Sequence, residues 1–223
     1  MTVHIPVVEK ITKANDQIAS LNRDLLEAKR IFGLNILASP GAGKTSLIER
    51  TLPLLAGLLR VGVIEGDLAT SIDAERTTAA GARSVQINTG GACHLDASMV
   101  RKALEAIPLE EIDLLIVENV GNLICPAGFA LGTHLNVLVA SIPEGDDKPY
   151  KYPTMYRGVD VLVVNKIDLL PYVSFDMERF RRGVETLNEG LTTFPVSCRS
   201  GEGLEAWTRW LTAQVENHRE RRP

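Results

Sequence analysis

The chain has 223 residues, 45% of them hydrophobic and 5% aromatic, with a formal net charge of −4. That length suits one sizeable α/β domain with a mostly aliphatic core and is too short for two. The charge balance, without a dense basic block, argues against a nucleic-acid partner. No apolar run is long enough to span a bilayer, so no membrane partner is expected. Three cysteines, an odd number, do not make a disulfide framework.

The opening residues lack the charged start, apolar middle and small-residue cleavage site of a signal peptide, so a cytoplasmic location is expected. Ile11, Ala14, Ile18, Leu21, Leu25, Ala28 and Phe32 recur in steps of three and four, which predicts a helix. Residues 1–32 therefore read as a helical extension and residues 33–223 as the main domain. The apolar stripe either packs on that domain or forms a dimer seam. The run is short for a coiled coil, which favours packing.

After Gly33, short aliphatic runs alternate with helical segments. The runs are Leu34–Ala38, Val61–Glu65, Ser84–Asn88, Leu114–Glu118, Asn136–Ser141, Val159–Asn165 and Thr193–Ser197. The helical segments are Thr45–Leu55, His94–Ala106, Asp176–Asn188 and Leu204–Glu216. Near-continuous aliphatic strands predict a mostly parallel central sheet buried on both faces, a three-layer α/β fold. The polar interruption Pro143 to Gly158 reads as a functional loop. The basic tail His218 to Arg222 reads as a solvated helix end, and His4, His134 and His218 as surface or structural residues.

"LASPGAGKTS", Leu37 to Ser46, joins the first strand to a helix, the context that a phosphate-binding loop requires. The backbone of Gly41, Ala42, Gly43 and Ser46 can curl around phosphate oxygens at a helix N-terminus. Lys44 can reach the β- and γ-phosphates, and the Thr45 hydroxyl can bind Mg²⁺. Ala38 stands where the usual pattern has its first glycine. At the end of an extended strand a methyl group is tolerated there.

"VNKIDLL" places Asn165, Lys166 and Asp168 directly after a strand. A carboxylate at Asp168 can accept from N1–H and the exocyclic amine of guanine, and adenine would leave it unpaired. Asn165 can meet the other base edge and the Lys166 stem can cover the ring. "PVSCRSGEG" resembles a loop that closes over the base, with Ser197 and Cys198 contributing through backbone. "EGD" brings Asp67 beside the phosphate loop. "IVENVGN" brings Glu118, to hold Mg²⁺, and Gly121, whose N–H can sense the γ-phosphate.

"NTGGACHLDASM" sets Cys93 and His94 side by side before a helix whose dipole favours thiolate at Cys93. Cys125 follows Gly121 by four residues. Two thiolates and an imidazole suit Zn²⁺ or Ni²⁺ but fall one ligand short of a closed tetrahedral shell. Water can fill the gap, or two chains can share the metal at a dimer interface. A γ-phosphate that orders Gly121 would pull on the segment carrying a metal ligand, so hydrolysis could change metal affinity.

The motifs "SPGAGKTSL", "IEGDLATSIDAER", "NTGGACHLDA", "VENVGNLICP", "EGDDKPYKYP" and "NKIDLLPY" together resemble the HypB family of hydrogenase nickel-incorporation GTPases. The likeness spans nearly the whole chain. It implies a SIMIBI-class P-loop GTPase, turning GTP over to GDP, and a GTP-dependent homodimer; with no assignable arginine finger, turnover is expected to be slow. Lys44, Asp67 and Glu118 would be its catalytic residues, with Mg²⁺ held by Thr45, Asp67 and Glu118. Nickel or zinc would bind Cys93, His94 and Cys125, for delivery of nickel to the hydrogenase large-subunit precursor. The resemblance further implies a HypA-like zinc-binding partner, often the chaperone SlyD, and base contacts by Lys148 across the dimer. Residues 1–30 contain no cysteine and only His4, so N-terminal nickel storage is not expected. Three alternatives stand beside it: a urease-accessory GTPase, whose metal motif is Cys-Pro-His, a P-loop kinase of a small acceptor, and a non-catalytic metal-binding protein.

Overall fold

The computed structural model describes residues 7–67 and 77–220, with residues 7–11 and Asp67 described through their backbone only. In chain order the elements are α1 (Val7–Ala28), β1 (Phe32–Ala38), α2 (Lys44–Leu55), β2 (Val61–Asp67), β3 (Arg83–Asn88), α3 (Ala97–Ala106), β4 (Leu114–Glu118) and β5 (Leu135–Ser141). Then come α4 (Lys148–Lys151), α5 (Pro153–Arg157), β6 (Val161–Asn165), α6 (Met177–Leu187), β7 (Thr192–Pro195) and α7 (Leu204–Glu220).

The strands form one seven-stranded sheet in the order β3-β2-β4-β1-β5-β6-β7. Every pairing is parallel. All seven expected strands are present, and the sheet is wholly rather than mostly parallel. The reason lies in the strand sequences. β4, "LLIVE", is buried at every position, which only a sheet covered on both faces allows. Leu114 and Ile116 face the layer of α2 and α7, whereas Leu115 and Val117 face that of α1 and α3. Beyond β5, a third cluster joins Leu138, Leu162 and Val164 to Met155, Tyr156, Phe180 and Val184. Each such aliphatic side chain contributes about 1.5–3 kcal/mol by leaving water.

β1 lies at the centre, between β4 and β5. The chain departs from it in one direction through α2 to β2 and later fills the other side with β5, β6 and β7. The crevice beyond the carboxyl ends of β1 and its neighbours is where such sheets bind ligands.

α1 packs on its own domain, but through a different stripe from the apolar one. Asn15, Ala19, Asn22 and Leu26 are buried, while Leu21 is 58% exposed and Ala14 and Ala28 are exposed. Both amides bond to the body of the domain. Asn22 Nδ2 donates to the carbonyls of Ala97 and Leu131 at 2.9 and 3.0 Å, and Asn15 bridges the Ala130 carbonyl and the Ala97 N–H. Apolar periodicity points to the wrong face when amides carry the contact. Phe32, the last residue of that stripe, is the first of β1.

The interruption from Pro143 to Gly158 is not an open loop. α4 and α5 form within it, and Met155 and Tyr156 are each 1% exposed. α3 also starts later than expected, at Ala97 with Asp96 as its cap, three residues beyond His94. Among the described residues, no helix is long and apolar enough to cross a membrane.

Candidate nucleotide cleft and thiol–imidazole cluster

Ala38 is the last residue of β1 and fully buried, and the chain then turns through Pro40, Gly41 and Gly43 into α2. Gly41 and Gly43 have φ of 75° and 102°, the left-handed region that glycine enters without a steric penalty. A side chain on Gly43 would also strike the Asn165 amide, its Cβ falling 2.4 Å from Nδ2. The turn opens a cleft of about 490 Å³ lined by Lys44, Thr45, Ser46, Glu65, Glu118 and Gly121 among others. On its floor the Thr45 hydroxyl donates to Glu118 Oε1 at 2.7 Å. A hydroxyl and a carboxylate held side by side are hard oxygen ligands of the kind Mg²⁺ takes. Gly121 closes the cleft against Pro40, where an added Cβ would sit 3.0 Å from the proline backbone.

Beside it lies a second cavity of about 330 Å³, lined by Gly43, Ser46, Asn165, Lys166, Asp168, Leu169, Cys198 and Arg199. Ser197 is buried there, and its hydroxyl donates to Asp168 Oδ1 at 2.6 Å. That hydroxyl oxygen in turn accepts from the Ser200 N–H. Lys166 has φ of 64°, a left-handed turn, and its Nζ donates to the Gly41 carbonyl at 2.7 Å.

The third group is a cluster of two thiols and an imidazole. The ligand atoms of Cys93, His94 and Cys125 all fall within 4.8 Å of one another. Cys93 Sγ stands 3.6 Å from His94 Nδ1. The His94 ring leans on Phe129, centroid to centroid 4.0 Å, and partial burial lowers its pKa, favouring the neutral form that binds metals. Two soft sulfurs and a neutral imidazole fit a nickel or zinc ion. Glu118 and Cys125 are the two ends of one eight-residue strip.

Comparison with known proteins gives one answer. The model of the CobW/HypB/UreG nucleotide-binding domain matches residues 34–195. The hydrogenase maturation factor HypB of Rhizobium leguminosarum bv. viciae is 47% identical over 207 residues, 93% of this chain and 69% of that protein. The chain belongs to the HypB family. A crystal structure of HypB from Helicobacter pylori in complex with nickel superposes with a TM-score of 0.88 at 34% identity, covering 94% of this chain and 99% of that one. HypB from Archaeoglobus fulgidus gives 0.85 at 35% identity, with 91% and 99% covered.

Several expectations for this HypB-family chain need correction. Cys93 is not at a helix N-terminus, because Asp96 caps α3. Its thiol pKa is raised, first by its hydrogen bond with Cys125. Asn165 also ties loops together. Its Nδ2 donates to the Ala42 carbonyl at 3.0 Å, and its Oδ1 accepts from the Lys166 and Cys198 N–H groups. Ser197 acts through its side chain, since its N–H is spent on the Glu202 carbonyl. Lys148 begins α4, its ammonium 5.4 Å from the Tyr152 ring centroid. Asp67 ends β2, but its side chain lies outside the described residues, as do His4, residues 68–76 and the end of the basic tail. His134 and His218 are partnered after all. With Glu27 they form a second close group, their rings packed edge to face at 4.4 Å.

Four participants escaped the sequence reading. Glu65 lies across the sheet from Glu118, is 2% exposed, lines the cleft and accepts from the Thr77 hydroxyl. A carboxylate inside a buried strand was the available signal. Glu144 accepts from Ser39, beside the phosphate loop, and also caps its own turn through Ser141. Asn119 and Asn122 connect the cleft to the cysteine cluster, and nothing in their spacing announces it.

Proposed function

We propose that this chain is a GTP-hydrolysing metallochaperone that binds nickel, or zinc, at Cys93, His94 and Cys125 and promotes nickel insertion into the [NiFe]-hydrogenase large subunit. One observation carries the reading: the short strip from Glu118 to Cys125 has the phosphate cleft at one end and the thiol–imidazole cluster at the other. Residues 33–223 act as the nucleotide-binding unit, with residues 1–32 as its helical extension, working in the cytoplasm.

The chain's own groups divide the work. The loop from Gly41 to Ser46 presents backbone N–H groups to the phosphates, and Lys44 offsets their charge. Thr45 and Glu118 would hold Mg²⁺, with Asp67 completing the set; when bound, that ion neutralises charge building on the β- and γ-phosphate oxygens. Asp168, oriented by Ser197, accepts from the guanine edge. Gly121 meets the γ-phosphate with its N–H. Among the described residues lining the cleft, lysines are the only cations, and no arginine reaches in. Hydrolysis of GTP to GDP and phosphate is accordingly slow. The nucleotide state sets the strip and, through it, the hold on nickel. GTP favours a homodimer that brings two clusters together. A HypA-like zinc/nickel protein and the large-subunit precursor are the expected partners, with SlyD as a further one.

Titration of Ni²⁺ into the protein with GDP and with a non-hydrolysable GTP analogue, recording the association state in each, tests this. Nickel affinity and pairing should both depend on the nucleotide. Equal affinity and equal association in the two states would remove the coupling.

A further inference from the structure

Asn122 sits between Gly121 and Cys125 and touches three separate parts of the machine. Its backbone N–H donates to the Ala38 carbonyl at 2.8 Å, where β1 ends and the phosphate loop begins. Its side-chain Nδ2 donates to the Cys93 carbonyl at 3.4 Å. Its Oδ1 accepts from the Ile124 N–H at 2.8 Å and the Cys125 N–H at 3.4 Å. A single amide thus spans the backbones of both thiol ligands while its own main chain is pinned to the base of the phosphate loop.

Asn119 does the complementary job from a fixed position. It is fully buried, and its Oδ1 accepts from the Leu95 N–H at 3.0 Å. Its Nδ2 donates to Asn35 Oδ1 at 3.2 Å, and Asn35 donates onward to Asn136 in β5. The Cys93–His94 pair is therefore bracketed, with Leu95 tied to the sheet and the Cys93 carbonyl tied to Asn122. The two ties differ in strength. The Asn119 bonds lie within the ordinary range for N–H···O contacts, whereas the two 3.4 Å bonds of Asn122 lie beyond its usual edge. A small displacement of the strip makes or breaks the second pair and leaves the first intact. The displacement has a source next door, because Gly121 rests directly on Pro40 of the phosphate loop.

We propose that Asn122 is a positioning residue for the metal site: it sets the gap between Cys93 and Cys125 and transmits to that gap the posture of the phosphate loop. This rests on the reading of Cys93, His94 and Cys125 as the nickel ligands. The position requires a donor and an acceptor on one short arm. Serine keeps an oxygen for the Ile124 N–H, as hydroxyls do in tight turns, but is too short to reach the Cys93 carbonyl.

The test is titration with Ni²⁺ alone, read by thiolate-to-nickel charge-transfer absorption, for the parent, Asn122→Ser, Asn122→Ala and the double variant C93S/C125S. Each is measured with GDP and with a non-hydrolysable GTP analogue. Loss of a group that orients metal ligands costs about 10–100-fold in metal affinity. Asn122→Ser should lose about tenfold or more and bring the two nucleotide states closer together, with GDP affinity and thermal midpoint as in the parent. Asn122→Ala, lacking both arms, should lose at least as much. Parent-like nickel affinity and parent-like nucleotide dependence in Asn122→Ser would overturn the proposal. The double variant separates the two levels of failure. If it loses nickel while Asn122→Ser does not, only the role of Asn122 falls. If it binds nickel like the parent, the ligand assignment falls, and the role of Asn122 with it.

Discussion

Replacing Asp168 by asparagine tests the base assignment most directly. The carboxylate has three donors to satisfy once guanine is bound: the Ser197 hydroxyl, 2.6 Å from Oδ1, the guanine N1–H and the guanine amine. A carboxylate has about four lone-pair sites on two oxygens and can serve all three. An asparagine amide has one acceptor oxygen and turns an N–H towards the third donor. The change removes one charge-assisted hydrogen bond, about 1.5–3 kcal/mol, and adds a donor facing a donor. The sum is about 3 kcal/mol, or roughly 100-fold in affinity for GDP. Xanthine has a carbonyl where guanine has its amine, so the same N–H finds an acceptor and the variant should gain xanthosine diphosphate as the parent does not. Calorimetric titration of both nucleotides into parent and Asp168→Asn measures this. The companion Ser197→Ala leaves the carboxylate in place and removes one orienting bond, about 1 kcal/mol. It should weaken GDP about fivefold with unchanged base preference. If Asp168→Asn binds GDP within twofold of the parent and shows no gain towards xanthosine diphosphate, the carboxylate does not face the base.

Gly43→Ala should lose at least tenfold in nucleotide affinity. The left-handed φ costs a side chain about 1–2 kcal/mol and the methyl displaces the Asn165 amide, as nucleotide titration of the variant would show. Parent-like affinity would mean that the turn relaxes freely. Intrinsic GTP turnover should be about 10⁻³ to 10⁻² s⁻¹ or slower, in line with a cleft whose described lining has no arginine; single-turnover hydrolysis by the purified protein at several per second would contradict this. Acid should weaken the fold through His134. Its Nδ1 accepts from the Gly33 N–H at 2.8 Å, and Arg23 and His218 lie close, with only Glu27 opposing them. Burial, first, and those cations lower its pKa from 6.5 to about 4. The folded state resists a proton that the unfolded chain accepts, so stability is full above about pH 6.5 and falls as the pH drops towards 4, by up to about 3 kcal/mol. Urea melts across that window should be flatter for His134→Gln than for the parent, and parallel curves would refute the assignment.

Much of this molecule is legible in one dimension because its signals are local. A strand buried on both faces must be aliphatic throughout, so "LLIVE" announced β4, and the alternation of such runs with helices announced a parallel sheet. A phosphate loop needs small residues at a strand–helix junction, and Lys44 and Thr45 stand in that context. Asn165, Lys166 and Asp168 are close in the chain, so their grouping needed no tertiary knowledge, although the loop-tying bonds of Asn165 were not legible there. The meeting of Cys93 and His94 with Cys125 was inferred from ligand chemistry, and folding brings the three within reach of one another.

Relations that depend on which backbone group lies opposite a side chain were decided only by the fold. The amides that dock α1, the bracket of Asn119 and Asn122 around the Cys93–His94 pair, and the reach of Glu144 to Ser39 all join residues distant in sequence. Hydrogen bonds of that kind are directional and carry no periodicity, so composition and spacing cannot anticipate them. The same holds for His134 and His218. Each is unremarkable in its own segment, and they meet Glu27 only because the ends of α1 and α7 converge on the entry to β1. Hydrophobic pattern chose the architecture, since burial is scalar and repeats along the chain. Directional polar contacts, which exist only after the sheet has closed, decided how the nucleotide cleft and the cysteine cluster are joined.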